Sequence, residues 1–342
     1  MKKYIIILSL LCCIVSCKKG ITDVTETINY GPLDDVEVSQ GNTWTSTSAL
    51  PDTGNSIYSV NSRDVTVNSS NNIFVATNFG GIFCSIDNGS TWTVQKGGFA
   101  KDPVLAEYNY DAVTVSAICS LGKCIFAGTD SAIYISQNNG ETWTKNKDFN
   151  DYKVVNLFKL KNKGELYAGC YHGIFKTNNY GADWTDISTG INWSVYGYAL
   201  DLEFTSDGAL YIATAKGLIK TTDDGKSWTY FGIQDQIQDV EVDGNGYIYA
   251  ASYSKLYISK DSGTIWQQIF QDNSGMNVDY VMVNKSNTIF VCCSSGLYRS
   301  TDYGNSWTLI GFENYLPKKI IYDNYGRLIV VTWRKGIYIS QE

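Results

Sequence analysis

The chain of 342 residues is poor in several residue types on which functional sites depend. It has one histidine and no Cys-X-X-Cys pair, so a Cys/His zinc site has no support. It has no long basic run and a formal net charge of -7, so nucleic acid, which needs clustered Lys and Arg, is not expected as a partner. An apolar run at the start, residues 4–15, is too short to span a bilayer comfortably.

Aromatic residues, in contrast, are abundant. They make up 14% of the chain, with 25 Tyr and 9 Trp, and proline occurs only 4 times. This composition favours β-strands. With 44% hydrophobic and 18% charged residues the chain can bury a core and is not disordered by composition. Its length suits one large all-β domain or two ordinary ones.

The N-terminal segment has the order of a targeting signal. A short basic start and the apolar run end at Cys17, directly after a serine. This resembles a bacterial lipobox, so we expect a signal peptide over 1–16 and a lipidated Cys17 followed by a tether over 17–36. An ordinary signal peptide with a chance cysteine is the alternative. Lys18, by resemblance to diderm lipoproteins, implies the outer membrane, on its periplasmic or its outer side.

Six cysteines remain after the three in the N-terminal segment. Cys119 and Cys124 flank a predicted hairpin turn at residues 120–123, which suggests a cross-strand disulfide as one interpretation. The other interpretation is that all six are small buried residues on strands.

One phrase recurs through the chain, with the pattern Ser/Thr-X-Asp/Asn-X-Gly-X-X-Trp. An Asp or Asn side chain closes a turn by accepting backbone hydrogen bonds, and glycine adopts a backbone angle that is costly for other residues. The tryptophan is expected to begin the next strand and to pack inward. Each turn has too few oxygens for a calcium shell. The six copies are residues 85–92, 136–143, 177–184, 221–228, 259–266 and 300–307.

This phrase resembles the Asp-box, or BNR repeat, of sialidases and related propellers. Each copy lies inside a unit of four short predicted strands, and units of roughly 40–50 residues are typical of β-propellers. In the families that carry it, the box is structural and lies away from the active site.

The ends of the chain share one repeat. A third-strand phrase begins at Gly81, Ala132, Gly173, Gly217, Lys255, Gly296 and Gly336. The last copy, GIYISQE, has no fourth strand, whereas residues 38–48 contain a box-like Trp44 with no strands of their own before it. We therefore predict an all-β fold: one seven-bladed propeller over 37–342, built of four-stranded antiparallel blades, with the N-terminal strand closing blade 7.

Propeller topology sorts the connections onto two faces. The second-to-third turns and the blade-to-blade loops share one face, here called the loop face; the first-to-second turns and the boxes share the other, the box face. Long aromatic loops predict binding on the loop face. Its two tryptophans outside the box register either anchor a ligand or plug a loop, and its histidine either binds or is simply solvated. The predicted binding residues are Trp193, Trp333, Arg334, Tyr171, His172, Tyr253 and Phe79.

Acidic residues recur at the start of the first strand of several blades. Asp64, Asp201 and Asp239 occupy equivalent places and are predicted to surround the mouth of the central channel, together with Lys319. They are candidate catalytic carboxylates for glycoside hydrolysis. The alternative is that they are polar residues satisfied within the channel.

The resemblance to sialidases implies an arginine triad that binds a sugar carboxylate. The chain has four arginines, and only Arg63 and Arg334 can reach the loop face, so sialidase activity is not expected. Seven box-containing blades are also similar to xyloglucanases, photosystem assembly factors and sortilin-type receptors, of which the last two bind proteins or peptides.

We therefore expect a non-catalytic cell-envelope lipoprotein that binds a glycan or a protein or peptide partner. The alternative is a glycoside hydrolase or lyase. We expect no cofactor or metal, membrane contact only through the lipid, and a monomer or a member of an envelope complex. The sequence does not identify the ligand.

Overall fold

The repeated units form short antiparallel strands in a computed structural model of the chain. The structure describes residues 36–37, 43–48, 50, 61–95, 97–99, 113–122, 124–130, 132–147, 149, 155–161, 164–171, 173–231, 233, 235–274, 277–333 and 335–341. They belong to one compact unit, Pro32–Glu342.

Blades 1 to 3 each contain four strands in chain order. Blade 1 comprises β3 (Asn61–Val67), β4 (Ile73–Asn78), β5 (Gly81–Ser85) and β6 (Thr93–Gln95). Blade 2 comprises β7 (Val115–Leu121), β8 (Cys124–Thr129), β9 (Ile133–Ser136) and β10 (Thr144–Lys145). Blade 3 comprises β11 (Val155–Leu160), β12 (Leu166–Cys170), β13 (Gly173–Thr177) and β14 (Thr185–Asp186).

Blades 4 to 6 repeat this order after a four-residue helix, α1 (Trp193–Tyr196). Blade 4 comprises β15 (Ala199–Phe204), β16 (Leu210–Thr214), β17 (Gly217–Thr221) and β18 (Thr229–Phe231). Blade 5 comprises β19 (Ile237–Val242), β20 (Ile248–Ser252), β21 (Lys255–Ser259) and β22 (Gln267–Gln271). Blade 6 comprises β23 (Val278–Val283), β24 (Ile289–Cys293), β25 (Gly296–Ser300) and β26 (Thr308–Leu309).

Blade 7 joins the two ends of the chain. It contains β27 (Pro317–Tyr322), β28 (Leu328–Thr332) and β29 (Ile337–Ser340), then β2 (Thr43–Ser46) and β1 (Val36–Glu37). β2 pairs antiparallel with β29, with Trp44 opposite Ser340. The predicted closure is confirmed, and β1 adds a fifth strand that was not predicted. The first strands contact one another in sequence, and β27 contacts β3, so the ring of seven blades closes.

The fourth strands are shorter than the sequence suggested. The box tryptophan was expected to begin this strand, but in blades 1 to 6 it precedes the strand, and β14 has only two residues. In blades 2, 5 and 6 the tryptophan instead closes the turn, because its indole donates to the carbonyl of the box glycine. Trp143 donates its indole Nε1–H to Gly140 O at 2.9 Å, and Trp266 does the same to Gly263 O at 3.0 Å.

Each of the six box turns is closed by its own side chains. In blade 1, Ser85 Oγ donates to Asp87 Oδ1 at 2.8 Å and accepts from the Gly89 amide at 2.7 Å. Asp87 Oδ1 also accepts from the Thr91 amide at 2.8 Å. The same bonds recur in the other five boxes, so the serine or threonine and the acid or amide together satisfy the backbone of the turn.

The box glycine also sets how closely two blades approach. Gly225 has a φ of +87°, and a Cβ placed on it would lie 2.2 Å from Ile187 O in the preceding blade. A Cβ on Gly140 would lie 2.9 Å from the Phe74 ring, again in the preceding blade. Glycine is therefore needed both for the turn and for blade-to-blade packing.

The hydrophobic core lies between neighbouring blades. The second strands are buried along their length, and each core cluster combines two blades; one unites Val65 and Phe83 of blade 1 with Ile329 and Ile337 of blade 7. Among the described residues no helix is long and apolar enough to cross a membrane.

The disulfide interpretation is wrong. Cys119 is opposite Phe126, and Cys124 is opposite Leu121, in the register of β7 with β8. The two cysteines are therefore not cross-strand partners, and all six cysteines after the N-terminal segment are free. Five are buried and Cys124 is half-buried, as the small-residue interpretation predicted.

Replacing a box glycine should be far more damaging than replacing a glycine with the same backbone angle but open surroundings. We expect Gly225→Ala to lower the free energy of unfolding by about 2–4 kcal/mol, because strain and overlap with Ile187 O add together. Gly208→Ala is the matched control, with a φ of +89° and no atom within 4 Å of the added Cβ. Denaturant unfolding curves would measure both; equal losses would contradict a packing role for the box glycine.

Candidate functional site

Every first strand contains a β-bulge near its start, at the loop-face end. A bulge leaves one residue unpaired and re-aims its side chain. The seven bulge residues therefore surround the loop-face mouth of the ring. They are Arg63, Ser116, Asn156, Leu200, Gln238, Asp279 and Lys318.

Two cationic bulge residues meet one tryptophan where blade 7 adjoins blade 1, and an acidic bulge residue of blade 6 pairs with one of them. Lys318 Nζ lies 2.7 Å from Asp279 Oδ2 and 5.3 Å from the centre of the Trp333 ring. The guanidinium carbon of Arg63 lies 5.8 Å from the same ring centre. Trp333 is half-buried. At these distances it makes cation–π contacts with side chains from two blades. These four residues, Arg63, Asp279, Lys318 and Trp333, are here called the seam cluster.

A group of tyrosines lies on the other side of the same face. Tyr171 and Tyr198 stack with ring centres 5.0 Å apart and planes at 15°. Tyr253 has 60% of its surface exposed. Burial raises the pKa of Tyr198, and its neighbours Tyr171 and Tyr253 raise it further. Tyr198 was not singled out from the sequence, since nothing distinguished it from the other aromatics in its loop.

The remaining predicted binding residues have different surroundings. Trp193 is half-buried in α1 and packs on the core between blades 3 and 4, which fits a loop plug more closely than an open ring. Phe79 has a φ of +65°, and its carbonyl accepts from the Val113 amide at 3.3 Å. Arg334, His172 and Cys17 lie outside the described residues.

The three predicted aspartates join neighbouring blades. Each follows a bulge directly and accepts a hydrogen bond from an amide in the first strand of the next blade. These cross-blade bonds run from Ile118 N to Asp64 at 2.8 Å, from Val240 N to Asp201 at 3.1 Å and from Val281 N to Asp239 at 2.7 Å. Asp64 also pairs with Lys319 Nζ at 2.5 Å. Their geometry is that of satisfied structural carboxylates.

A second set of charged residues, the channel cluster, lies two positions further along three successive first strands. Lys159 of blade 3 pairs with Glu203 of blade 4, and its Nζ lies 3.7 Å from Glu241 Oε2 of blade 5. This cluster was not predicted from the sequence. The available signal was the Asp-X-Glu spacing shared by β15 and β19, in which each glutamate follows a predicted aspartate.

Burial decides the protonation of the channel cluster. It raises the pKa of Glu241 to about 8; Lys159 opposes this rise, and Glu203 and Asp201 add to it. Burial also raises the pKa of Glu203, against the attraction of Lys159. The pKa of Asp239 lies well above its usual value through burial and the nearby Asp201. One lysine thus faces several carboxyls that cannot all be ionised.

This arrangement differs from a glycosidase pair. Glu203 and Glu241 both face Lys159, and Glu203 raises the pKa of Glu241, so we interpret the two carboxyls as sharing a proton. A glycosidase instead holds its two carboxyls about 5–9.5 Å apart, with the sugar or a water between them. Within the described part of the chain, no group of three or more His, Cys, Asp or Glu residues is arranged to hold a metal ion.

Fold and site together define a seven-bladed propeller with an aromatic and charged mouth on its loop face. No family model matches the chain. It is 28% identical over 168 residues to the photosystem II assembly lipoprotein Ycf48 of Prochlorococcus marinus (strain MIT 9313). That match covers 46% of this chain and 45% of the relative, so it spans less than half of either protein.

Solved structures share the fold at low sequence identity. YCF48 bound to D1 peptide has a TM-score of 0.66 at 12% identity, over 89% of this chain and 98% of that one. The extracellular domain of the putative one component system BT4673 from B. thetaiotaomicron has a TM-score of 0.68 at 13% identity, over 91% of this chain and 40% of that one. The GH74 xyloglucanase of Xanthomonas campestris has a TM-score of 0.63 at 14% identity, over 87% and 53%.

The raised pKa of Glu241 predicts a pH-dependent stability. An unfolded glutamate titrates near about 4.3, so the folded state loses stability as pH rises from there through about 8. We expect Glu241→Gln to be more stable than the wild type at pH 8–9 and similar to it at pH 5, because glutamine stays neutral and still donates to Glu203. Denaturant midpoints over this range would test it.

Glu313→Gln is the control, since Glu313 is exposed. Its denaturant midpoint should change with pH in parallel with that of the wild type. A Glu241→Gln curve that also runs parallel to the wild type would contradict the shared-proton interpretation.

Proposed function

We propose that this chain is a non-catalytic cell-envelope lipoprotein that binds a protein or peptide partner through its loop face, with a glycan ligand as the other branch of the proposal. The observation that carries it is that the polar residues at the channel fall into two groups with different contacts. Carboxylates suited to hydrolysis are engaged in cross-blade bonds, whereas the mouth presents aromatic and cationic side chains.

The aromatic groups of the loop face suit recognition. Tyr253 is largely exposed, and the tyrosine hydroxyls add hydrogen-bonding capacity to apolar rings. Tyrosine, tryptophan and arginine are the residues that most often dominate protein interfaces. The rigid ring holds them on strand ends and short turns, so little entropy is lost when a partner binds.

The similar proteins support a binding role. A structure of YCF48 with a bound D1 peptide shares this fold, and the sequence match of 28% identity is also to a Ycf48 lipoprotein. The extracellular domain from B. thetaiotaomicron and the lipobox-like start at Cys17 both support an envelope location, with the outer membrane as the predicted site.

Glycoside hydrolysis is the second candidate, favoured by the fold shared with the xyloglucanase. It would use Asp64, Asp201 and Asp239. Against it, each of these carboxylates already accepts an amide hydrogen bond from the next blade. These bonds tie at least one oxygen of each carboxylate to the neighbouring blade.

Site-specific crosslinking in cells would test which face binds. A photoreactive residue replaces Tyr253 on the loop face or, as the matched control, Tyr325 on the box face, which is 70% exposed. We expect a discrete covalent adduct from position 253 and none from 325. Adducts from 325 alone, or equally from both, would contradict the proposal.

The identified adduct then provides a ligand for affinity measurements. We expect Trp333→Ala to weaken its binding about tenfold, as for a central aromatic anchor. If Trp193→Ala and Trp333→Ala together leave the affinity unchanged, the loop-face site is wrong. A glycan array run in parallel shows whether a sugar replaces the protein partner.

A polysaccharide panel would test the hydrolase candidate. We expect no turnover by the wild-type protein. Turnover that disappears in a folded Asp64→Asn, Asp201→Asn, Asp239→Asn triple variant would establish the enzyme alternative, and turnover that survives in this variant would exclude these residues as its catalysts.

A further inference from the structure

The side chain of Arg63 is held in a fixed orientation at the mouth. Its Nε–H donates to Asn78 Oδ1 at 2.6 Å, and its guanidinium lies over the Trp333 ring. The bulge in β3 directs it there, and Asn78 ends the neighbouring strand β4. The planar group is therefore anchored at one nitrogen and along one face.

The other two nitrogens of Arg63 have no hydrogen-bond acceptor among the described residues. Arg63 is exposed, so these two nitrogens are open to a ligand. Partial burial of the side chain still lowers the pKa of this arginine, against the opposing effect of Asp130. A guanidinium with two free nitrogens matches the geometry of a planar two-oxygen anion.

The local charges point to a ligand with a single negative charge. Lys318 is paired with Asp279 at 2.7 Å, and Lys319 with Asp64 at 2.5 Å. Each lysine is thereby neutralised by a neighbour. Arg63 has no ion pair within 4 Å among the described residues, and the carboxylate of Asp130 acts on it only from further away. This charge balance suits a carboxylate better than a dianionic phosphate.

We propose that Arg63, anchored by Asn78 and Trp333, binds one carboxylate group of a peptide ligand. A peptide is favoured over an acidic sugar because two cations lie over the Trp333 ring and Tyr171 stacks on Tyr198, which leaves fewer open ring faces for a sugar. The inference deepens the proposed function and rests on it for the choice of a peptide. The carboxylate comes from a peptide C-terminus or from an acidic side chain.

Arginine-selective NMR provides a direct test, because the chain has only four arginines. The full chain in detergent, labelled with ¹⁵N-arginine, is titrated with acetyl-Ala-Ala-Ala carrying a free C-terminus, and with acetyl-glutamate amide to represent an acidic side chain. Acetyl-Ala-Ala-Ala amide, inorganic phosphate and glucuronate complete the set. The side-chain signals that are absent from the spectrum of Arg63→Lys are assigned to Arg63.

We expect saturable shifts of the Arg63 side-chain signals with one or both peptide carboxylates, and at least tenfold weaker effects from the amide and from phosphate. Arg63→Lys, which keeps the charge but loses the two-pronged geometry, should weaken binding at least tenfold. Asn78→Ala should weaken it less. Arg299→Lys, at the box end of β25, is the matched control and should bind like the wild type.

Arg63 signals that do not move, phosphate binding as tight as carboxylate binding, or equal binding by Arg63→Lys would each overturn the inference. Tighter binding of glucuronate than of either peptide carboxylate would overturn the choice of a peptide. The proposed function can fail independently of this inference. If a partner binds the loop face and Arg63→Lys leaves its affinity unchanged, only this inference is contradicted. Carboxylate binding at Arg63 without any loop-face adduct in cells defeats the proposed function.

Discussion

The antiparallel pairing of β2 with β29 is the interaction on which the rest of the structure depends. It places Trp44 opposite Ser340 and gives blade 7 its outer strands, so neither end of the chain leaves the last blade incomplete. Trp44 is only 1% exposed and meets the Phe312 ring edge-on at 5.0 Å. Because the core lies between blades, an incomplete blade 7 would also expose the apolar faces of blades 6 and 1.

Closure also assembles the candidate site. Arg63 comes from the start of blade 1, whereas Lys318 and Trp333 come from blade 7, some 250 residues later in the chain. The candidate site also requires the bulges, because they turn side chains of the first strands towards the mouth while the rest of each strand stays paired. The same strands carry the cross-blade aspartates and the channel cluster. Neighbouring positions of one strand thus have different contacts: the bulge residue lies at the mouth, where we propose that the ligand binds, and the next residue accepts a bond from the adjacent blade.

The sequence predicted what the repeat encodes. Box residues, strand order, seven blades and the shared blade 7 all follow from local patterns, because turn chemistry and alternation act over a few residues. It could not predict contacts between blades. The equivalence of Asp64, Asp201 and Asp239 was visible, but their bonds to the next blade depend on how the sheets twist and approach. Lys159, Glu203 and Glu241 meet across three blades, and the misplaced Cys119–Cys124 pairing arose from a register that only the folded hairpin sets.

Hydrogen–deuterium exchange on a chain lacking residues 36–48 would test the central claim that β2 holds the ring closed and so forms the seam cluster. The account predicts that amides in β27, β28, β29 and β3 lose protection, while those in blades 3 to 5 keep most of theirs, since each of these blades remains flanked on both sides. A chain lacking residues 18–30 serves as the control and should exchange like the full chain. Unchanged protection of β29 and β3 in the chain without 36–48 would contradict the account.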